Sequence, residues 1–147
     1  MAVLRTALRN HLIADSALMA ILTGGVFDAQ STDAEGADTS WIPRAANGVT
    51  LAPFAIIRFR GESPTEIVAF TERRFVEIYF YQAYGYLQIE LAKNRVKSIL
   101  HRKRVQADDA GIAMFHFVQG RGEMPAPEYE NAASDMNRYF VDYTRKG

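Results

Sequence analysis

The sequence predicts an α+β fold, with two helices packed on one face of a mainly antiparallel sheet of about four strands. Three observations carry this. Apolar residues recur at helical spacing in residues 2–22 and 85–104. They alternate at period two in residues 54–60, 74–81, 112–119 and 138–144. The alternating stretches follow one another through loops, which favours antiparallel pairing, and two helices over one face bury every apolar stripe.

Each element has a local reason. Leu4, Leu8 and Leu12 form one stripe, with Arg5, Arg9 and Asn10 around the other side. Asp15 and Ser16 can cap a second turn set from Ala17 to Leu22, so a kink near Asp15 is expected. Gly24-Gly25 stops the helix, and Val26-Phe27-Asp28 reads as a very short strand. Residues 29–53 are rich in Ser, Thr, Asp, Gly, Ala and Pro and form a long arm or loop that contains Trp41, the only tryptophan. In 54–60, Ile57 and Phe59 share a face opposite Arg58 and Arg60; in 74–81, Val76, Ile78 and Phe80 oppose Phe75, Glu77, Tyr79 and Tyr81. Residues 61–71 connect the two as a hairpin longer than the tight kind. Ile89, Ala92, Val96, Ile99 and Leu100 make the stripe of the second helix, which closes on the basic run His101-Arg102-Lys103-Arg104. Asp108-Asp109-Ala110-Gly111 is a turn. Residues 112–119 and 138–144 are the last two strands, and residues 120–136 between them read as a second long loop with 124–127 extended.

The 147 residues are read as one domain, long enough to bury roughly 70% of the unfolded surface. Hydrophobic residues make up 48%, enough for a core. Seventeen basic and seventeen acidic residues cancel, so bulk charge gives no pull toward nucleic acid or anionic lipid. A chain without net charge also lacks the self-repulsion that opposes association. The absence of cysteine excludes disulfides, thiolate nucleophiles and cysteine zinc sites. Arg5, Arg9, His11 and Asp15 interrupt any signal-peptide core, and no stretch approaches the ~18 apolar residues of a membrane span.

Catalytic chemistry finds no footing in the sequence. His11, His101 and His116 have no metal-ligand spacing. Gly120-Arg121-Gly122 is followed by Glu123-Met124-Pro125 and not by the helix that a phosphate loop needs. Asp108-Asp109 and the Glu128/Glu130 pair lie in turns, where acids serve solvation. No catalytic residue, metal ligand or cofactor is assigned. One feature stands out: Phe75, Tyr79 and Tyr81 stand opposite an apolar face, as do Tyr139 and Tyr143 opposite Phe140. A sheet covered on one side normally turns a polar face to water. Aromatics on both faces mark either a protein contact or a loop folded over the second face.

With these elements in place, the chain resembles the tail-terminator or tail-completion family of long-tailed bacteriophages. The matching stretches are VLRTALRNHLIADSALMAILTGGVFD, PFAIIRFRGESPT, RRFVEIYFYQA, LQIELAKNRVKSIL, GIAMFHFVQGRG and NRYFVDYTRK, which together span nearly the whole chain. The likeness lies in element order and texture, without an invariant motif. It implies a hexameric ring on the head-proximal end of the tail tube. Such a ring ends tube polymerisation, offers a surface to the head-side connector or stopper, and lets DNA pass through its lumen without sequence recognition. It also implies a place in the virion tail or neck, assembled in the host cytoplasm, and no catalytic residues to carry over. A ring closes through heterologous contacts. Tyr79, Tyr81, Tyr139, Tyr143 and Trp41 are the expected subunit-interface residues. Arg58, Arg60, Arg102 and Arg104 are expected at the lumen or a partner. Two rivals are a head-completion or stopper protein of the neck and a nucleic-acid-binding module, the latter opposed by Glu77 and Asp142 among the aromatics.

Overall fold

A computed structural model of the chain describes residues 2–28, 51–64, 71–107, 111–126 and 132–144. Most of the expected 29–53 arm, with Trp41, lies outside them, as do Asp108-Asp109 and the Glu128/Glu130 pair. In chain order the elements are α1 (Ala2–Ile13), α2 (Ser16–Ile21), β1 (Gly25–Asp28), β2 (Phe54–Pro64), β3 (Thr71–Ala83), α3 (Leu87–Leu100), β4 (Arg104–Ala107), β5 (Gly111–Gly120), β6 (Met124–Ala126) and β7 (Ala132–Thr144).

The expected four-stranded sheet with two helices is overturned. Strand dominates, in one curled, mixed, seven-stranded sheet of order β1-β2-β3-β7-β5-β4, with β6 beside β7. β1 runs parallel to β2, and every other pairing is antiparallel. α1 touches both β1 and β4, strands at opposite edges, so the sheet curls around it as half a barrel. Register shifts between Phe59 and Glu62 on β2 and between Phe117 and Gln119 on β5 flank the central pair. An extra residue of this kind bends its strand and deepens the twist. The second expected loop, 120–136, holds β6 and the first residues of β7. The sequence reading missed that start because Asp135 and Asn137 occupy positions where alternation calls for apolar residues.

Helix positions follow from the stripes. Leu4, Leu8 and Leu12 are fully buried against the concave face, with Ile89, Ala92, Val96 and Leu100 from α3. The sheet answers with Ala55, Ile57, Val76, Ile78, Phe80, Phe115, Tyr139 and Val141. Polar ties orient the helices. Arg5 pairs with Asp28 at 2.9 Å, and Arg9 Nε donates to the Val26 carbonyl at 2.9 Å. Asp15 caps α2 by accepting from the Leu18 N–H at 2.9 Å, and it also accepts from Nη2 and Nε of Arg95 on α3 at 2.7 and 2.8 Å. α3 ends at His101. Arg102 then adopts a left-handed φ of 58°, and the chain turns into β4.

Two outcomes follow. Leu8→Ala should cost about 2–5 kcal/mol in urea denaturation, whereas Leu87→Ala, 64% exposed on α3, should change stability by less than about 0.5 kcal/mol. Equal effects would contradict the packing of α1. The Arg95 hydrogen bonds hold the Asp15 carboxyl below its ordinary pKa. Its folded value therefore lies below its unfolded one, and its contribution is present above about pH 4 and is lost as pH falls through the folded value. The urea midpoint of Asp15→Asn should decline less steeply than wild type below about pH 4. Parallel declines would remove this role.

Candidate functional site

Strand alternation sends half of each strand to the convex face, and there aromatic and ionic rows alternate. At one end, Phe54 stacks on Tyr81 with ring centroids 4.9 Å apart, and Phe27 meets Phe54 edge-on at 6.0 Å. Leu51 and Ile56 complete a second small core, in which Tyr81 is only 8% exposed. The next rows hold Tyr79 and Glu77. The Tyr79 hydroxyl donates to Glu77 Oε1 at 2.9 Å, and Arg138 Nη2 and Nε donate to Glu77 Oε2 at 2.6 and 3.1 Å. The guanidinium groups of Arg58 and Arg121 lie 6.0 and 5.7 Å from the Tyr79 ring centre. Farther along, His116 stacks on Phe140 at 4.6 Å, and Arg73 covers the same ring at 4.3 Å while pairing with Asp142 at 2.8 Å. Burial holds the His116 imidazole below its ordinary pKa. The convex face is thus a set of internally paired rows, neither bare apolar surface nor an open cationic track.

The expected interface residues scatter. Tyr79 is half-buried on the convex face. Tyr81 is sealed in the second core. Tyr139 points the other way, into the main core against Phe117, and is fully buried. That burial raises its phenol pKa and removes it from any subunit surface. Tyr143 and Arg60 lie on β7 and β2, with side chains outside the described residues. Arg58 stands on the convex face beside Tyr79, away from Arg102 and Arg104, which are exposed at the turn from α3 into β4. Among the described residues no group of three or more His, Asp or Glu is placed to hold a metal ion, and no helix is long and apolar enough to cross a membrane.

Sequence reasoning missed a cleft of about 370 Å³ between α3 and the β5–β6 turn. Its floor is β7. Asp135 pairs with Lys93 Nζ at 2.6 Å and accepts from the N–H groups of Met136 and Gly122 at 2.7 and 2.9 Å. The second of these needs the turn that Gly122 makes at φ 99°. Asn137 is fully buried. Its Nδ2 donates to the Lys93 carbonyl and the Tyr139 hydroxyl, both at 3.3 Å, while its Oδ1 has no partner among the described residues. A Cβ at Gly120 would lie 3.0 Å from Lys93 Nζ, so glycine lets β5 approach this pair. Lys97 sits 4.0 Å over the Phe117 ring. Glu90 and Glu123 complete the lining from α3 and from the turn. The available signal was the polar pair Asp135 and Asn137 at inward-facing positions of a strand.

No protein-family profile matches the sequence, and no curated protein sequence matches it. The fold is matched by a chain of a solved structure described as the virion of a native gene transfer agent particle. The TM-score is 0.66 at 14% identity, over 96% of this chain and 94% of that one.

The paired rows make an energetic claim. Glu77→Ala should cost about 1–3 kcal/mol, since it strands Arg138 and the Tyr79 hydroxyl; Tyr79→Phe should cost about 0.5–1.5 kcal/mol. The double variant should lose less than the sum in a denaturation cycle, because the two share one hydrogen bond. Strict additivity would mean that the rows are not coupled.

Proposed function

We propose that this chain is a structural component of a phage-like virion, and more narrowly a tail terminator: a subunit of a hexameric ring that caps the head-proximal end of the tail tube. The observation that carries the coarser reading is the fold shared, over nearly the full length of both chains, with a chain of the gene transfer agent virion. The finer reading rests on the order and texture of elements from α1 to β7. In this reading the chain has no enzymatic role. Its partners are further copies of itself, the tube protein on one side and the head-side connector or stopper on the other, and DNA crosses the lumen unread.

The internal charge pairing supports an assembly part over a nucleic-acid module. Single-strand binders line a groove with free cations beside stacking aromatics. Here Glu77 and Asp142 neutralise Arg138 and Arg73 beside Tyr79 and Phe140.

Negative-stain electron microscopy of the concentrated protein tests the ring. Six-fold rings with a lumen that admits duplex DNA are expected. Immunogold labelling of particles should then mark one site between head and tail. Labelling along the whole tube, or on the capsid, would remove the terminator reading.

A further inference from the structure

The cleft has a chemical preference. Its two cations are engaged, Lys93 by Asp135 and Lys97 by the Phe117 ring. Its acceptors are not all engaged: Asn137 Oδ1 is buried in the lining without a donor, and Glu90 and Glu123 are exposed and unpaired among the described residues. A buried acceptor left without a donor costs free energy that an incoming N–H recovers. Three carboxylates against two ammonium groups leave the cleft acidic by one charge. Such a site takes a donor-rich cation, and the planar guanidinium of arginine fits it best, with five N–H groups to share between an amide oxygen and carboxylates.

The chain itself presents that group elsewhere. Arg102, Lys103 and Arg104 are exposed at the end of α3 and unpaired among the described residues. The corner is held in place, because the Arg102 N–H donates to the Phe115 carbonyl at 2.7 Å and the Lys103 N–H to Leu100 at 3.1 Å. Arg104 pairs in register with Met114 on β5, whereas the open acceptors of the cleft, Asn137 and Glu123, gather by Gly120, beyond Phe117 on the same strand. Six residues of strand separate them by roughly 20 Å. That is beyond the reach of an arginine side chain, so the corner cannot meet the open acceptors of its own cleft, but it can meet those of a second copy placed head to tail.

We propose that the basic corner of one copy docks into this cleft of the next, with Arg102 or Arg104 reaching Asn137 between Glu90 and Glu123. Each copy then gives its corner to one neighbour and receives another in its cleft, the heterologous contact from which rings close. The proposal rests on the reading of the chain as a self-assembling virion part.

Sedimentation velocity on the full chain tests it with two charge-swapped variants, E90K/E123K and R102E/R104E, each checked for its fold by circular dichroism. Each variant alone should associate at least about tenfold more weakly than wild type, and wild-type association should weaken with salt. An equimolar mixture should recover association, because each cleft then meets a corner of opposite charge. Either variant associating as wild type overturns the contact, and so does loss in both without recovery on mixing. A wild-type chain that stays monomeric at all concentrations overturns the self-contact but leaves the virion reading standing, since such a part can join through other proteins. Association that obeys the charge swap in a chain that immunogold labelling fails to find on particles keeps the contact and removes that reading.

Discussion

The pairing of β3 with β7 is the constraint on which the rest of the structure depends. Thirteen consecutive residues face one another, from Thr71 opposite Thr144 to Ala83 opposite Ala132. Because side chains alternate at period two, this one register decides what every other strand and helix meets. It puts Val76 and Tyr139 side by side beneath the helices, and Glu77 and Arg138 side by side on the convex face. Two ion pairs enforce it. Arg73 lies opposite Asp142, and Glu77 lies opposite Arg138, with the charges in reverse order along the two strands. A slip of four residues would set Arg73 against Arg138. Opposed like charges across a ladder are destabilising, so the pattern resists the slip. β2 then adds to one side of the pair and β5 to the other, and the irregularity on each bends the sheet around α1.

How much of this the sequence discloses depends on whether one residue's environment is set by its near neighbours. The helices were legible because their stripes are strong, and the cap at Asp15 was legible because capping is local. β4 was hidden, since Val105 is the one buried apolar side chain among its described residues, next to a basic run that reads as a helix end. β6 was hidden by its three-residue length and its proline. The start of β7 was hidden by Asp135 and Asn137. The aromatic content of both sheet faces was visible, but not which face the helices would take. That choice is made by packing between distant elements, and it sends Tyr139 inward and Tyr79 outward although both read as surface candidates. Tyr81 was decided by Leu51 and Phe54, which no periodicity links to it.

The same distinction separates the two kinds of polar residue in the fold. On the convex face, acids and bases meet inside one subunit and spend their interactions there. Along β5 they do not meet: the basic corner lies beside Met114 and Phe115, and Asn137 lies opposite Gly120. Asn137 occupies an inward position with its Oδ1 unmatched among the described residues, and the exposed carboxylates stand away from the exposed guanidinium groups. A net charge of zero conceals this separation. For a chain that adds copies of itself, the combination is suited to assembly. Neutrality keeps repulsion from accumulating as copies join, while opposite charges set apart on the surface bias which surfaces meet. The buried Asn137 oxygen carries a cost in the isolated subunit, and in the ring proposed above a head-to-tail neighbour would remove it at every copy.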